Sequence, residues 1–411
     1  MTTRKTLLGA AIALGLSSTA AYADTALKAL FMSQSAYSEA DVRAMTDAYT
    51  ASHPGTTVTL EFVPYEGLRD KTILAQGSGD GYDVILFDVI WPAEYATNNI
   101  LLDVTDRVTP EMNSGVLKGA WSTVEYQGKR YGMPWILDTK YLFYNRDILE
   151  KAGIAAPPKT WKELADQSAI IKAKGLVEFP IVWSWAQAEA VICDYTTLLS
   201  AFGGQFLDAD GKPAFASGGG LAALQYMVDT TTAGLSNPNS KEYLEEDVRR
   251  VFENGEAAFA LNWTYMDDLA NNSVDSKVAG KVGIVPAPGV EGVSQISAMN
   301  GSMGLGVAAT SKHPDQAWDF VTYLTSQSTQ NAYAKLSVPI WASSYQDKAV
   351  TGGREELFAA AGTALAAMFP RPTTPNYQEL STVLQVAIQQ ALLGIASPQD
   401  ALNQAVSDSG L

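Results

Sequence analysis

The residues of this sequence that could do chemistry are aspartates and glutamates that lie close in the sequence to large aromatic residues. Asp138 lies within the apolar run of residues 135–144, where an ionised carboxylate is costly to bury unless something compensates its charge. Asp88 ends the apolar run of residues 84–87, and Trp91 follows three residues later. Carboxylates that accept hydrogen bonds beside flat indole faces suit carbohydrates. Both acids have a structural alternative, because Asp88 could cap the following helix and Asp138 could form a salt bridge.

A second group of aromatic and polar side chains follows a predicted strand in the middle of the chain. The group consists of Trp183, Trp185, Gln187 and Glu189. It could stack on a ligand and hydrogen-bond to it, although we expect one of the two tryptophans to pack in the core. Further on, Arg371 lies between two prolines that fix its backbone. Its guanidinium could fork across two ligand oxygens or form a surface salt bridge, and we favour the ligand.

Nucleophilic and metal-dependent chemistries are disfavoured by the residue types present. Cys193 is the one cysteine of the sequence, and His53 and His313 are each followed directly by proline. An X-Pro pair is typical of turns and connecting segments, so neither histidine is a good partner for a nucleophile. Two separated histidines and one cysteine cannot build a typical zinc shell. Residues 76–81 are rich in glycine but lack the spacing of a phosphate-binding loop. We therefore expect no cofactor and no metal.

The elements that must position these residues alternate between strand and helix in the first part of the chain. Hydrophobic periodicity predicts strands at residues 26–32, 57–63 and 84–87 and helices at residues 39–50 and 65–76. This alternation predicts an α/β fold with a doubly wound sheet, whose ligands lie beyond the carboxyl ends of the strands. One loop at such an end contains Ser35 and Tyr37, and another contains Asp88 and Trp91.

Local signals predict two helices directly after the apolar run that contains Asp138. Asn145 is a predicted cap for a helix that ends at Gly153. Thr160 is a predicted cap for a helix at residues 161–174.

Composition and the amino-terminal segment indicate an exported, acidic protein. The 411 residues carry a formal net charge of −16, which argues against nucleic acid and anionic membranes as partners. Arg4 and Lys5 precede the apolar run of residues 7–16, and small residues follow it. This pattern predicts a secretory signal peptide over residues 1–23, cleaved before Asp24, and a periplasmic location. We expect the mature protein to be a monomer.

Several phrases of the sequence resemble one known family. They are YGMPWILDTKYLFYNRDILEKAG at residues 131–153, VFENGEAAFALNWTYMDD at residues 251–268, KVGIVPAP at residues 281–288, and the R-P-x-x-P-x-Y pattern at residues 371–377. Together they resemble the periplasmic sugar-binding proteins of ABC importers, extracellular solute-binding family 1, which includes maltose- and trehalose-binding proteins. The resemblance implies a protein that binds a sugar, oligosaccharide or polyol for an inner-membrane ABC permease and is not an enzyme.

The resemblance also implies a two-lobe, type II-like periplasmic binding protein fold, in which each lobe is a doubly wound mixed sheet. The chain would cross between the lobes near residues 135–140, 279–285 and 324–330. The first lobe would then hold residues 24–137 plus 283–326, and the second lobe residues 138–282 plus 327–411. The ligand would bind in the cleft between them.

Site residues follow from the resemblance position by position. It implies that Asp88 and Asp138 contact the ligand and that Trp263 forms one wall of the sugar site. Met303 stands where many family members have a tryptophan, which favours a smaller or differently shaped polyhydroxy ligand than maltose or trehalose. The full set of candidate ligand-binding residues is Ser35, Tyr37, Asp88, Trp91, Asp138, Trp183, Trp185, Gln187, Trp263, Tyr265, Gly301, Met303, Trp341 and Arg371.

Two other functions remain open on the sequence. A glycoside hydrolase could use Asp88 together with Asp138 or Glu189 as its acid and base. A binding protein for a charged non-sugar solute is the second alternative. A cationic ligand would require several cleft acids beyond these three, whereas an anionic ligand would depend on Arg371 and backbone donors.

Overall fold

The structure is a computed structural model and describes residues 25–33, 36–78 and 81–410, without the side chain of Ser78. The predicted signal peptide and Ser35 lie outside the described residues. The strands in chain order are β1 Thr25–Met32, β2 Thr56–Val63, β3 Val84–Asp88, β4 Glu125–Tyr126, β5 Lys129–Arg130, β6 Met133–Ile136, β7 Tyr141–Asn145, β8 Ile181–Val182, β9 Phe259–Asn262, β10 Val282–Val290, β11 Ser294–Ser297 and β12 Met303–Val307.

Helices cover most of the remaining described chain. They are α1 Glu39–Ser52, α2 Tyr65–Ser78, α3 Pro92–Thr97, α4 Pro110–Gly115, α5 Arg146–Ala152, α6 Trp161–Ala173, α7 Glu189–Ala201, α8 Gly218–Thr232, α9 Glu245–Glu253, α10 Tyr265–Asn272, α11 Pro314–Leu324, α12 Gln327–Tyr333, α13 Lys348–Thr351, α14 Glu355–Ala364, α15 Tyr377–Leu392 and α16 Pro398–Asp408. Within the described ranges, no helix is long and apolar enough to cross a membrane.

The first sheet has the order β2-β1-β3-β12-β6 and confirms the predicted α/β architecture of this part of the chain. Strand β1 is parallel to β2 and β3, whereas β12 is antiparallel to β3 and β6. All five residues of β3 are buried, as its continuous apolar sequence predicts. The register pairs Met303 with Asp88, so the start of β12 lies beside the carboxyl end of β3.

The second sheet has the order β11-β10-β7-β9-β8 and is covered on both faces. Successive side chains of a strand point to opposite faces of its sheet. Tyr141 and Phe143 of β7 belong to one buried hydrophobic cluster, and Leu142 and Tyr144 belong to another. The apolar run around Asp138 is thus continuous because β7 is buried on both sides.

Helix boundaries follow the predicted local signals. The side chain of Asn145 accepts a hydrogen bond from the backbone amide of Ile148, and Thr160 does the same for Glu163. Gly153 ends α5 with φ of 72°, a left-handed conformation that glycine adopts at little cost. These caps fix where the chain leaves the second sheet after β7.

The crossings between the sheets differ in one place from the expected positions. Residues 137–140 join β6 of the first sheet to β7 of the second. The second crossing was expected at residues 279–285, but β10 pairs along its first half with β7, from Val282 opposite Asn145 to Pro286 opposite Tyr141. Residues 283–297 therefore lie in the second sheet, and the chain returns to the first sheet through residues 298–302. KVGIVPAP was assigned to this crossing from its resemblance to the family, but Val282 and Ile284 are buried core residues of a strand.

The third crossing lies around α12 and is held by side-chain hydrogen bonds. Gln330 donates to the backbone oxygen of Trp135 at 2.9 Å and accepts from the amide of Ile340 at 2.9 Å. Ile340 packs in the core of the first lobe, whereas Val338 packs in a core of the second. One glutamine thus hydrogen-bonds the third crossing to β6, directly before the first crossing.

Candidate ligand-binding site

A cavity of about 450 Å³ lies between the two sheets and receives side chains from both. Met32 and Asp88 reach it from the ends of β1 and β3, and Met303 reaches it from the start of β12. This is the edge of a doubly wound sheet at which ligands bind. From the second lobe, Glu189 and Trp263 line the opposite side.

Arg371 lies at the centre of the polar lining and joins the two lobes. Its side chain is 0% exposed. Its Nη2 donates to Oδ1 of Asp88 at 2.8 Å, and its Nη1 donates to Oε1 of Glu189 at 2.6 Å. Nη2 also donates to the backbone oxygen of Asn300 at 3.2 Å. One guanidinium is therefore shared by a carboxylate of the first sheet and a carboxylate at the start of α7.

Hydroxyl groups complete the hydrogen bonding of these two carboxylates. Tyr65 donates to Oδ2 of Asp88 at 2.9 Å. Tyr377 donates to Oε1 of Glu189, and Ser381 donates to Oε2 at 2.5 Å. Burial raises the pKa of Glu189, and Arg371 and the two hydroxyls oppose that rise.

A second buried cation, Lys140, lies over the ring of Trp263. Its Nζ contacts Ser184 Oγ at 3.0 Å, Glu245 Oε1 at 3.1 Å and Asp194 Oδ1 at 3.2 Å. Burial alone would lower the pKa of Lys140, but Asp194 and Glu245 raise it above its usual value, so the amine stays charged. Burial raises the pKa of Asp194 to about 6 in spite of Lys140.

Trp263 is held rigidly by its neighbours while it lines the cavity. Its Nε1 donates to Oε1 of Glu245 at 3.1 Å, and Nζ of Lys140 lies 4.5 Å from the ring centroid, at cation–π distance. A Cβ atom at Gly301 would come within 2.2 Å of Cζ3 of Trp263. Glycine at position 301 is therefore required for the indole to occupy this place.

Asp138 lines the same cavity and also connects two crossings. Its Oδ1 accepts from the amide of Thr139 at 2.8 Å and from Oγ1 of Thr264 at 2.5 Å, at the start of α10. Its backbone oxygen accepts from the amide of Gly301 at 3.1 Å. Burial raises its pKa to about 7 against these hydrogen bonds. In the structure, hydrogen bonds rather than the expected salt bridge compensate the buried carboxylate of Asp138.

A family model described as bacterial extracellular solute-binding protein matches residues 34–331. The chain belongs to this family. It is 30% identical over 366 residues to a probable ABC transporter-binding protein of Deinococcus radiodurans, covering 86% of each chain. Two solved structures share its two-lobe fold. Maltose-bound MalE3 of T. maritima is 30% identical with a TM-score of 0.85, covering 93% of this chain and 98% of that one. A solute-binding protein of an ABC transporter from Thermotoga lettingae, bound with α-D-tagatose, is 25% identical with a TM-score of 0.83, covering 94% and 98%.

Half of the predicted site residues meet at the cavity of this solute-binding protein. Those that line it are Asp88, Asp138, Trp263, Tyr265, Gly301, Met303 and Arg371. Asp88 and Met303 lie at strand ends, Asp138 and Gly301 lie in the first two crossings, and Tyr265 begins α10.

Trp183 and Trp185 lie in the core of the second lobe. Both are 0% exposed, and their rings stack on each other with centroids 4.9 Å apart. Nε1 of Trp183 donates to Ser236 at 2.8 Å. We expected one of them at the ligand, but both pack behind α7, so the candidate site does not include them.

Four other predicted residues also lie away from the cavity. Tyr37 is buried with its ring 4.3 Å from that of Trp135, and Trp91 is buried in the core of the first lobe. Gln187 is exposed in the turn before α7. Trp341 donates its Nε1 to the backbone oxygen of Thr325 at 2.8 Å, within the third crossing. An aromatic side chain at the end of a strand can pack in the core or line a cavity, and the sequence alone does not distinguish these two positions.

Several lining or supporting residues were missed on the sequence. Glu245 and Glu246 of α9 line the cavity, as does Cys193 of α7, and Lys140 supports Trp263. A lysine two residues after Asp138 in an apolar run was a usable signal, because a buried charge requires a partner. Over the described ranges, no group of three or more His, Cys, Asp and Glu side chains could hold a metal ion.

Proposed function

We propose that this protein is the periplasmic substrate-binding component of an ABC importer and that it binds a sugar or polyol in the cavity between its lobes. The observation that carries the proposal is the convergence of Asp88, Arg371 and Trp263 on one cavity. Sugars combine an apolar ring face, which stacks on an indole, with hydroxyls that require charged or amide partners. The two relatives with bound maltose and tagatose support the same ligand class.

The dimensions of the cavity support a small ligand. Its volume of about 450 Å³ falls in the lower part of the range of roughly 300–1,000 Å³ that ligand pockets occupy. Met303 lies beside Asp88 at the cavity and provides a flexible thioether in place of a flat ring. We infer a monosaccharide or polyol rather than a long oligosaccharide.

The proposed mechanism is closure of the lobes around the ligand. Asp88 belongs to the first lobe and Glu189 to the second, so a ligand that contacts both favours the closed form over the open one. The closed form would then dock on a membrane permease. Residues 1–23 would direct the protein to the periplasm as a monomer, and the bound sugar would be released unchanged.

Calorimetric titration with monosaccharides and polyols, after a thermal-shift screen of the same panel, tests the proposal. A ligand that binds the folded form raises the melting temperature. Trp263→Ala should weaken binding of the best ligand about 2- to 10-fold, because an aromatic stacking contact contributes about 0.5–1.5 kcal/mol. Trp341→Ala is the matched control, since Trp341 is also half-buried but lies outside the cavity.

Three outcomes would contradict this function. The first is a panel in which no sugar or polyol shifts the melting temperature while a solute without hydroxyls does. The second is equal loss of affinity in Trp263→Ala and Trp341→Ala. The third is conversion of the sugar during long incubation, detected by chromatography, which would favour a hydrolase.

A further inference from the structure

Lys140 is a buried cation that lies behind the cavity lining rather than in it. It ends the first crossing, directly before β7, and its side chain is 0% exposed. An ammonium group has three donors. Three side-chain oxygens lie around its Nζ, those of Ser184 at 3.0 Å, Glu245 at 3.1 Å and Asp194 at 3.2 Å. These partners occupy the ammonium group, so Lys140 is not available to bind a ligand directly.

Stability alone does not account for this buried cation. Removing an ammonium group from water is costly, and well-packed apolar side chains are often at least as stabilising as a buried ion pair. Besides its polar partners, Lys140 contacts the aromatic ring of Trp263, which lines the cavity. A role of Lys140 in ligand binding would therefore act through this ring.

Two contacts connect Lys140 to the indole of Trp263. Nζ lies 4.5 Å from the ring centroid, at cation–π distance. Oε1 of Glu245 accepts from Nζ of Lys140 and from Nε1 of Trp263, each at 3.1 Å. The first contact opposes a tilt of the ring plane. The second opposes a flip of the ring, because a flip would move Nε1 away from Glu245. Together the two contacts fix the orientation of the indole.

The backbone of Trp263 is held by a different residue. Oδ1 of Asn262 accepts from the amide of Trp263 at 2.8 Å, and Nδ2 of Asn262 donates to the backbone oxygen of Glu245 at 2.9 Å. These two bonds do not involve Lys140. A change at Lys140 should therefore release the ring of Trp263 while its backbone stays in place.

We propose that Lys140 is a positioning residue for ligand binding, which holds the indole of Trp263 ready for stacking before the ligand arrives and so favours ring-shaped sugars over open-chain polyols. A ring sugar presents a flat apolar face to an indole, whereas an open chain has no fixed face. A side chain that is already ordered loses no freedom on binding, which raises the affinity about 2- to 10-fold. This inference rests on the proposed function and narrows its ligand class to ring sugars.

A charge-balanced double variant removes the cation. Lys140→Met alone would leave Asp194, whose side chain is 0% exposed, without its cation. Combining Lys140→Met with Asp194→Asn removes one charge of each sign and nearly keeps the size of both side chains. The control combines Lys335→Met with Asp268→Asn, which removes an ion pair of the same length, 3.2 Å, outside the cavity lining. Thermal melting checks that both double variants are folded.

Calorimetric titrations would compare two ring sugars, D-tagatose and D-glucose, with two open-chain polyols, ribitol and D-glucitol. The double variant at Lys140 should bind the ring sugars about 2- to 10-fold more weakly and lose less affinity for the polyols. The control should bind all of them as the wild type does. In a Trp263→Ala background, the loss of Lys140 should not change the ratio of ring-sugar affinity to polyol affinity any further. A purely structural role would weaken all the ligands alike and would persist in that background.

A measurement without ligand tests the orientation of the ring directly. In NMR spectra of protein with isotope-labelled tryptophan, the indole N–H signal of Trp263 is the one that Trp263→Phe removes. Its hydrogen exchange with deuterated water should be faster in the double variant than in the wild type, because Glu245 loses the ammonium group that holds its Oε1. The signal of Trp318, which is buried in the core of the first lobe, should exchange at the same rate in both.

The outcomes separate this inference from the proposed function. If the wild type prefers the polyols, or if the double variant weakens ring sugars and polyols alike, the inference is overturned and the proposed function stands. Unchanged exchange of the Trp263 N–H in the double variant also overturns the inference. If no sugar or polyol binds the wild type, the proposed function fails, and the exchange measurement still decides whether Lys140 positions the ring.

Discussion

Replacing Arg371 with methionine isolates the energetic role of the guanidinium that both lobes share. The substitution removes the charge but keeps a long apolar side chain, so little volume is lost. It leaves the carboxylates of Asp88 and Glu189, whose side chains are 7% and 8% exposed, without the cation that they contact. Removing one partner of a buried ion pair typically costs about 3–5 kcal/mol, because the other charge remains buried and uncompensated. We expect Arg371→Met to lower the free energy of unfolding by about that amount.

Urea denaturation followed by tryptophan fluorescence measures this cost, and Arg250→Met is its control. Arg250 also lines the cavity, but its side chain is 62% exposed, and it pairs with Asp247 at 3.1 Å in the first turns of α9. An exposed ion pair contributes at most about 1 kcal/mol. The two variants therefore make the same chemical change at the same cavity with very different expected costs.

A double variant tests whether the loss of stability comes from the two carboxylates that lose their cation. Adding Glu189→Gln to Arg371→Met removes one of the two uncompensated charges and should restore part of the lost stability. Lowering the pH should also reduce the cost of Arg371→Met, because protonation neutralises the same acids. The reasoning is refuted if Arg371→Met and Arg250→Met cost the same, or if the double variant is less stable than Arg371→Met alone.

Three further predictions concern the cavity wall and its titratable groups. Gly301→Ala should displace Trp263 and weaken ligand binding at least tenfold in fluorescence titrations, whereas Gly362→Ala, with nothing within 4 Å of its added Cβ, should not; equal affinities in the two variants would contradict the assigned packing. Burial raises the pKa of Asp138 from 3.8 to about 7, so the folded form holds this proton more tightly, and the free energy of unfolding should fall as the pH rises from about 4 to about 7. Asp138→Asn should flatten that slope in urea titrations, and an unchanged slope would show that another group causes it. Cys193, the single cysteine of the sequence, lines the cavity, and burial raises the pKa of its thiol. Iodoacetamide should therefore modify it slowly, and a bound sugar should slow the reaction further. A reaction rate as fast as that of the protein unfolded in urea would contradict this position of the thiol.

The fold was predictable to the extent that its signals are local. Hydrophobic periodicity and the continuous apolar run of β3 predicted strands of the first sheet, and cap residues such as Asn145 and Thr160 predicted the starts of α5 and α6. The second crossing was misplaced because it was assigned from the family resemblance of KVGIVPAP, whereas this segment is the first half of β10. This segment is a strand because it pairs with β7, more than 130 residues earlier in the chain. Local sequence periodicity does not indicate so distant a partner.

The candidate site was predictable where a residue type has few structural uses. A carboxylate in an apolar run and an arginine between prolines stood out, and both line the cavity. A tryptophan did not distinguish the site from the core. Trp183 and Trp263 both follow a strand, but Trp183 stacks in the core and Trp263 lines the cavity. Lys140 was missed because Glu245, its partner at 3.1 Å, lies 105 residues further along the chain.

The shared cations connect the charge of the cavity to the proposed closure. Asp88 and Glu189 carry like charges on opposite lobes, so bringing them together is unfavourable unless a cation stands between them. Arg371 contacts both, at 2.8 and 2.6 Å, so its attraction to the two carboxylates exceeds their mutual repulsion, although one negative charge remains uncompensated. In the proposed mechanism, a sugar adds stacking and hydrogen bonds to this attraction as the lobes close. Because the contacts of Arg371 with the two acids are electrostatic, closure measured by small-angle scattering should require more ligand at high salt than at low salt.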